Sequence, residues 1–367
     1  AAAKEAAAAT PGVELDLSEA KTREYLIDHR LAEAGWLLTA DRDREFPVYG
    51  MPTDSGEGFV DYVLWGDDGL PLAVVEAKKA MASPQVGQQQ AKLYADCLEQ
   101  MTGQRPVIFY TNGYEHWLWD DTAYPPRSVH GFLTKDELGL LIQRRTTKQS
   151  LAALDINTEI AGRPYQERAI RAISEHFEID KQRKALVVMA TGAGKTRTVI
   201  ALSDLLMRAN WAKRILFLAD RTALVKQAAN AFKEHLPDSA PVNLVNEANQ
   251  DGRVYVSTYQ TMVGKIDELQ PDGTHRFGPG HFDLIVIDEA HRSVYRKYRG
   301  IFEYFDSLLV GLTATPKDEV DANTYDLFDL ETGVPTDAYG LDDAINDGYL
   351  VPPRGVSVPL KFVREGI

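Results

Sequence analysis

Cysteine is almost absent from this sequence: Cys97 is the single cysteine among 367 residues. A single cysteine excludes an internal disulfide framework and a cysteine-rich zinc site, and it is typical of proteins from a reducing cytoplasm. The eight histidines are scattered, with no spacing that suggests a metal cage. We therefore expect a cytoplasmic protein without a metal site built from sulfur or imidazole.

Long hydrophobic runs and excess basic charge are also missing. No segment approaches the roughly eighteen apolar residues of a membrane span, so no membrane partner is expected. The net charge of −14 argues against a protein that coats nucleic acid, although it leaves room for a local basic groove. Residues 1–17 begin with AAAKEAAAAT, which lacks the shape of a signal peptide and reads as a tail, linker or expression remnant.

Residues 18–150 predict a small α/β domain. Helical spacing of apolar residues, with Ser18 as cap and Gly35 as stop, predicts one helix, and QVGQQQAKLYADCLEQM predicts another. Short strand patterns lie in GFVDYVLW, LPLAVVEAKKA, RPVIFYTNG and YEHWLWD, and Asn112-Gly113 is a strong hairpin signal. These patterns predict a mixed sheet.

Residues 151–367 predict a second α/β domain. The pattern loses its period near the boundary and restarts as a helix after Pro164, which places the domain joint there. Beyond it, continuous apolar strands alternate with helices, a pattern typical of a parallel sheet covered on both faces.

The strongest local signal is VVMATGAGKTRT. An apolar strand, a glycine-containing loop and Lys195-Thr196 at a helix start predict a phosphate cradle, in which Lys195 reaches the terminal phosphates and Thr196 holds Mg²⁺. Met189 occupies the place of the first glycine in the full phosphate-loop pattern. The candidate nucleotide-binding residues of the loop are Thr191, Gly192, Ala193 and Gly194.

A second buried strand, in FDLIVIDEAHRS, delivers Asp288 and Glu289 at its carboxyl end. One carboxylate there could hold the metal while the next polarises attacking water. With GLTATP farther along, these segments resemble motifs I, II and III of superfamily 2 helicases, and RPYQERAI resembles the upstream glutamine motif. The resemblance implies ATP and Mg²⁺ as cofactors and Gln166 as the adenine reader. It also implies a coupling role for the motif III residues, which are Thr313, Ala314 and Thr315.

The segment VVEAKKA places Glu76 and Lys78 on one face of a strand, and Asp61 lies on the preceding strand. Two carboxylates for Mg²⁺ and a lysine are what a metal-dependent nuclease needs, although the pair could also be the solvated end of a strand. The pattern resembles the D…E-x-K core of the PD-(D/E)xK nucleases, without a proline before Asp61.

Three further residues match accessory features of those nucleases. Gln90 and Tyr94 fit the Q-x-x-x-Y motif of one branch and share a helix face, and Glu24 fits an acid on the first helix of some members. The alternative interpretations are a polar helix face for Gln90 and a surface charge for Glu24.

The order of all these motifs resembles the restriction (R, or HsdR) subunit of type I restriction-modification enzymes. The resemblance implies a PD-(D/E)xK-type nuclease domain followed by the first RecA-like motor domain. It also implies an ATP-driven translocase of double-stranded DNA and an endonuclease, with methylation (M) and specificity (S) subunits as partners. The second motor lobe does not follow before FVREGI, so we expect these residues to bind nucleotide with little hydrolysis and no translocation. Another helicase-nuclease of phage defence or repair, or an ATP-binding, DNA-binding module without nuclease activity, is the alternative.

Overall fold

The computed structural model describes residues 18–247, 250–266, 268–290, 292–314 and 322–352. Two β-sheets follow one another along the chain, and helices cover both faces of each. The predicted class is confirmed, with a mixed sheet first and a parallel sheet second. The strands are β1 (Arg44–Tyr49), β2 (Glu57–Trp65), β3 (Pro71–Ala77), β4 (Val107–Thr111), β5 (His116–Trp119), β6 (Arg127–Val129), β7 (Lys184–Met189), β8 (Ile215–Ala219), β9 (Val242–Asn243), β10 (Val254–Thr258), β11 (Leu284–Asp288), β12 (Leu308–Thr313) and β13 (Asp337–Tyr339).

The first helix, α1, changes its hydrogen-bonding pattern along its length. An α-helical turn over Glu19–Thr22 passes into a π-helical turn over Arg23–Ile27 and returns to α-helix over Asp28–Glu33. Single π-helical turns are frequent at functional sites. The other helices are α2 (Gln88–Thr102), α3 (Lys135–Thr147), α4 (Pro164–Glu178), α5 (Lys195–Arg208), α6 (Thr222–His235), α7 (Tyr259–Val263), α8 (Arg292–Tyr304), α9 (Ala322–Leu327) and α10 (Leu341–Asn346).

The first sheet has the order β1-β2-β3-β4-β5-β6, and only the β3–β4 pair is parallel. The predicted hairpin at Asn112-Gly113 joins β4 to β5, and Gly113 adopts a φ of 88° that suits glycine. Every residue of β3 is buried, because α2 covers one face of the sheet while α1 and α3 cover the other. The strand that carries Glu76 therefore runs through the centre of the first core.

The second sheet has the order β13-β7-β12-β11-β8-β10-β9, and all of its pairs are parallel. Its central strands are buried apolar runs, as the sequence predicts for a sheet covered on both faces. Since β7, β12 and β11 are neighbours, the loops that follow them meet at one edge of the sheet. No helix in the described part of the chain is long and apolar enough to cross a membrane.

Candidate active sites

The structure brings Asp61, Glu76 and Lys78 together, as the sequence predicts. Asp61 lies on β2, and its Oδ2 accepts a hydrogen bond from the backbone N–H of Ala77 over 2.7 Å. Lys78 Nζ donates to Glu76 Oε1 over 2.5 Å. The three side chains form one cluster where β3 ends, which we name the β3 cluster.

Burial controls the protonation of the β3 cluster. Glu76 is only 2% exposed, and burial, followed by the charge of Asp61, raises its pKa to about 8 despite the contact with Lys78. Burial also raises the pKa of Asp61, against the hydrogen bond from Ala77 and the charge of Arg23. Two carboxylates at close range disfavour joint ionisation, so this cluster would gain from a bound cation.

The β3 cluster has an acceptor available for such a cation. Glu76 Oε2 is buried and has no hydrogen-bond partner in the described structure, so its lone pairs are unsatisfied. No group of three or more His, Cys, Asp or Glu side chains within the described ranges could hold a metal ion. Mg²⁺ commonly takes only one or two carboxylates and completes its shell with water and phosphate oxygens. Asp61 and Glu76 therefore fit Mg²⁺ rather than an ion that needs an all-protein cage.

Helix α2 extends the cluster through the two residues of the Q-x-x-x-Y motif. Gln90 Oε1 accepts from Lys78 Nζ over 3.1 Å, and Gln90 Nε2 donates to Tyr94 OH over 2.7 Å. Gly87 permits this close approach, because a Cβ there would lie 2.9 Å from Glu76 Cγ and 3.0 Å from Lys78 Cε. The sequence analysis did not identify Gly87, although its place one turn before Gln90 was an available signal.

The sequence analysis also missed Arg23, which faces the β3 cluster from the π-helical turn. Its guanidinium donates to Asp61 Oδ1 over 2.8 Å and also pairs with Glu45 on β1. Both oxygens of Asp61 are therefore engaged, one by Arg23 and the other by Ala77. The π-helical turn breaks the 3.6-residue spacing of α1, so helical periodicity in the sequence could not predict which way Arg23 faces.

The predicted accessory acid, Glu24, lies exposed on the next position of α1. No hydrogen bond or ion pair joins it to Asp61, Glu76 or Lys78 in the part of the chain that the structure describes. Glu19, one turn earlier and half-buried, acts electrostatically on all three residues and raises the pKa of Glu76. The geometry thus presents Glu19 as a second candidate for the accessory role predicted for Glu24.

The phosphate loop lies between β7 and α5, as predicted. Gly192 and Gly194 adopt φ values of 87° and 93°, and Lys195 is the first residue of the helix. Thr191 is exposed, Ala193 is buried and Thr196 is half-buried. Left-handed glycines before a helix turn backbone N–H groups towards a common point, which suits an anion.

The predicted carboxylates face this loop from β11. Lys195 Nζ lies 3.5 Å from Glu289 Oε1, and Asp288 ends the strand. Burial raises the pKa of Asp288, the charge of Lys195 lowers it and that of Glu289 raises it. Glu289 has a φ of 56°, a strained value for a residue with a side chain that is often found at functional sites.

Gln166 lies against the phosphate loop rather than in an open pocket. Its side chain is buried, and its Nε2 lies 3.3 Å from the carbonyl oxygen of Ala193 and 3.4 Å from that of Gly194. The neighbouring Tyr165, which the sequence analysis missed, also donates to Ala193 O over 2.7 Å. Both side chains fix the loop from α4, and adenine reading by Gln166 stays a prediction.

The motif III residues follow β12, which separates β7 from β11. Thr313 is buried and lies opposite Val188 of β7, so it lies between the phosphate loop and the acidic pair. Ala314 is half-buried, and Thr315 lies outside the described residues. Strand order alone thus brings the three motifs to one edge of the sheet.

Two family models match this chain. The type I restriction enzyme R protein N terminus (HSDR_N) matches residues 44–127, which span the β3 cluster, and the type III restriction enzyme res subunit matches residues 159–318. The EcoAI endonuclease subunit of Escherichia coli is 32% identical in an alignment of 324 positions that covers 83% of this chain and 38% of that protein. The EcoKI endonuclease subunit of E. coli strain K12 is 28% identical in an alignment of 447 positions that covers 96% of this chain and 37% of that protein.

Solved structures also match this chain, and the two described here have TM-scores below 0.4. A fragment of an HsdR subunit of a type I restriction enzyme from Vibrio vulnificus YJ016 is 28% identical, with a TM-score of 0.37, over 90% of this chain and 61% of that one. The Hef helicase domain of Pyrococcus furiosus is 21% identical, with a TM-score of 0.39, over 55% of this chain and 43% of that one. The chain spans less than two-fifths of the two curated E. coli relatives.

Proposed function

We propose that this chain, which is HsdR-like in its sequence relatives and in the order of its matched regions, is part of the restriction subunit of a type I restriction-modification system. The complete subunit would be a type I site-specific deoxyribonuclease, an ATP-dependent translocase of double-stranded DNA that cuts unmodified DNA with Mg²⁺. Residues 18–150 would form the endonuclease domain, and residues 151–367 the first RecA-like motor domain. The observation that carries the proposal is the contact of Lys78 with both Glu76 and Gln90, upstream of a phosphate loop in the same chain.

In the nuclease reaction, Asp61 and Glu76 would hold Mg²⁺, which when bound supplies Lewis acidity to the scissile phosphate and activates water. Burial of Lys78 favours its neutral form, but the hydrogen bond and charge of Glu76 outweigh it and raise the pKa of the ammonium group. Lys78 would carry a positive charge that stabilises the developing phosphorane. Gln90 and Tyr94 would hold that charge in position.

In the nucleotide reaction, the loop from Thr191 to Gly194 would surround the phosphates with backbone N–H groups. Lys195 would contact the terminal phosphates, while Thr196 and Asp288 would hold Mg²⁺. Glu289 would orient the attacking water, since its carboxylate lies beside Lys195 at the open edge of the sheet. Thr313, Ala314 and Thr315 would couple hydrolysis to movement on DNA.

The partners of the complete subunit would be double-stranded DNA and the methylation and specificity subunits of the same system. The motifs account for cutting and movement, and sequence recognition would belong to the specificity subunit. A cytoplasmic location would suit both the DNA substrate and the single cysteine.

A second candidate function is an ATP-binding module that grips DNA without cutting it. The observation that favours it is the full engagement of Asp61 by Arg23 and Ala77, which satisfies this carboxylate without a metal. In that case, Arg23 would be a structural partner of Asp61, and Asp61 would bind no metal.

The proposal is tested by DNA cleavage with the complete subunit, assembled with its methylation and specificity subunits, ATP and Mg²⁺ on unmethylated circular DNA. Lys78→Ala should abolish cutting and keep ATP hydrolysis, whereas Lys195→Ala should abolish both. Lys79→Ala is the matched control, because Lys79 is the exposed neighbour of Lys78 and the charge change is the same. Normal cutting by Lys78→Ala would refute the nuclease assignment. Failure of the subunit to associate with its methylation and specificity partners would favour another helicase-nuclease.

A further inference from the structure

A charged cavity of about 340 Å³ lies between the two sheets, away from both candidate sites. Its walls include Arg183, Asp283 and Asp306, which precede β7, β11 and β12. The cavity therefore faces the amino ends of these strands, while the phosphate loop and Asp288 lie at their carboxyl ends. A ligand here would be distinct from ATP.

Asp306 is neutralised by arginines from both sides of the cavity. Arg127 of β6 donates to both of its oxygens over 2.6 Å, and Arg183 donates to Oδ1 over 2.8 Å. These contacts outweigh burial and hold the pKa of Asp306 well below its usual range. This carboxylate thus brings no free negative charge to the cavity.

The other three acids of the wall are also engaged. Asp283 accepts two hydrogen bonds from Arg144, over 2.5 and 3.0 Å, and two more from backbone N–H groups. Asp120 accepts from Arg145, and Glu178 accepts from the backbone N–H of Leu151. The cations of the wall outnumber these acids, and they are Arg127, Arg144, Arg145, Lys148, Lys181 and Arg183.

Two cations of this wall, Lys181 and Lys148, lack a carboxylate partner within the described residues. Lys181 is exposed, whereas Lys148 is half-buried. The Nζ of Lys148 lies instead 4.2 Å from the ring centroid of Trp211 and 6.0 Å from that of Tyr124. Arg127 Nη1 and Arg144 Nε also have no hydrogen-bond acceptor in the described structure. The cavity therefore holds uncompensated positive charge among groups removed from bulk water, where an opposite charge is strongly favoured.

We propose that this cavity binds a phosphate group, either as orthophosphate or as the phosphomonoester of a small molecule, with Lys148 as its ammonium partner. The volume lies at the lower end of the ~300–1,000 Å³ typical of ligand pockets, which often occur between domains. A phosphate dianion would complete the charge balance that the four engaged acids leave unfinished.

The surroundings of Lys148 also predict the pH dependence of binding. Burial, then Arg144 and Arg183, lower the pKa of Lys148 to about 8, while Asp120 and Asp283 act in the opposite direction. Phosphate requires the charged ammonium, so its affinity should fall as the pH rises above about 8.

Calorimetric titration of the full chain with orthophosphate tests the proposal. The titration is done in a Lys195→Ala background, which removes the lysine of the proposed ATP site. One phosphate should bind, and Lys148→Met should weaken it at least tenfold while keeping the apolar stem on Trp211. Lys148→Arg should retain binding, and so should the exposed control Lys226→Met.

The proposal is overturned if the background protein binds neither orthophosphate nor adenosine monophosphate, or if Lys148→Met binds the phosphate ligand as well as Lys226→Met does. A parallel titration with adenosine monophosphate identifies the source of the group. Tighter binding than orthophosphate would identify a nucleoside phosphate, and binding of orthophosphate alone would identify the free ion. Binding of either ligand should require Lys148 and does not involve DNA cleavage. The phosphate titration can therefore fail while the cleavage test of the proposed function succeeds, and the reverse.

Discussion

Two clusters in this molecule contain the same three groups, two carboxylates and a lysine, but different parts of the structure hold them in place. In the β3 cluster, Glu76 is buried and Lys78 is fixed by contacts with Glu76 and Gln90. In the second sheet, Lys195 lies 3.5 Å from Glu289, whose side chain is 37% exposed. The β3 cluster is held by side chains from β2, β3 and α2. In the second site, Lys195 is held at the start of α5 by the backbone of the preceding loop. The two sites should therefore fail in different ways when they are altered.

The largest expected effect comes from the two glutamates. Glu289→Gln should lower ATP hydrolysis by the complete subunit ~10²–10⁴-fold, the usual contribution of a general base, while ATP binding persists. Glu76→Gln should instead abolish DNA cleavage and leave ATP hydrolysis intact, because it removes a proposed metal ligand from the other site. Steady-state ATPase and cleavage assays on both variants check this. Glu289→Gln should lose cleavage together with ATP hydrolysis, because cutting is proposed to depend on ATP, whereas equal loss of both activities in Glu76→Gln would contradict the nuclease site.

A smaller effect is expected from the glycine of each site. Gly194→Ala would place a Cβ 2.5 Å from Gln166 Nε2 at a φ of 93°, which costs about 1–2 kcal/mol in backbone strain and should weaken ATP binding about tenfold. Gly87→Ala would press on Glu76 and Lys78 and should lower cleavage ~10–100-fold. Nucleotide titration and cleavage rates separate the two variants. A loss of ATP binding in Gly87→Ala would show that the sites are not independent.

The ionisation of Glu76 in the β3 cluster predicts a pH dependence of stability. The folded state keeps its proton up to a pKa of about 8, against an ordinary value of 4.5. The unfolded chain releases this proton earlier, so this contribution to the free energy of unfolding is full below pH 4.5 and is lost as the pH rises to about 8. Denaturant unfolding is measured at pH 5.5 and 8.5 with a chelator present. The free energy of unfolding of Glu76→Gln, relative to that of the parent, should be higher at pH 8.5 than at pH 5.5.

Glu57→Gln is the control for that comparison, because Glu57 is exposed on the adjacent strand β2. If the free energy of unfolding of Glu76→Gln differs from that of the parent by the same amount at both pH values, as expected for Glu57→Gln, the Glu76 carboxyl is ionised at both. Added Mg²⁺ should reduce the pH dependence of the parent, since a metal binds the ionised form.

The smallest expected effect distinguishes the two acids of α1. Glu19→Gln should lower cleavage a few-fold, because its charge acts on Asp61, Glu76 and Lys78. Glu24→Gln should change it less, since that side chain is exposed. Single-turnover cleavage rates measure both, and a larger loss for Glu24 would support the accessory role predicted from its sequence position.

Local sequence patterns predicted most of the fold. Alternating and continuous apolar runs indicated the central strands of both sheets but not the edge strands β1, β6, β9 and β13. TGAGKT indicated the strand, loop and helix start, because each signal lies within a few neighbouring residues. The proximity of Asp61 to Glu76 was also predictable, since one short turn joins their strands. These features need no knowledge of distant contacts.

The remaining features arise from tertiary contacts. Arg23 reaches the β3 cluster from a π-helical turn, which helical periodicity does not predict. The electrostatic effect of Glu19 on the cluster depends on where α1 packs against the sheet. The contacts of Gln166 with the phosphate loop require α4 to pack beside it. In the sequence, nothing distinguishes Lys148 from other polar residues. Only the folded structure places it in the wall of a cavity between the two sheets without a carboxylate partner.

Mn²⁺ titration of this chain at pH 8.5 without nucleotide tests whether the β3 cluster is a metal site. One ion should bind to the parent, Glu76→Gln should lose that ion, and Asp288→Asn should bind it unchanged. If Glu76→Gln binds Mn²⁺ like the parent, or if the parent binds none, the buried carboxylates are structural and the nuclease assignment is wrong.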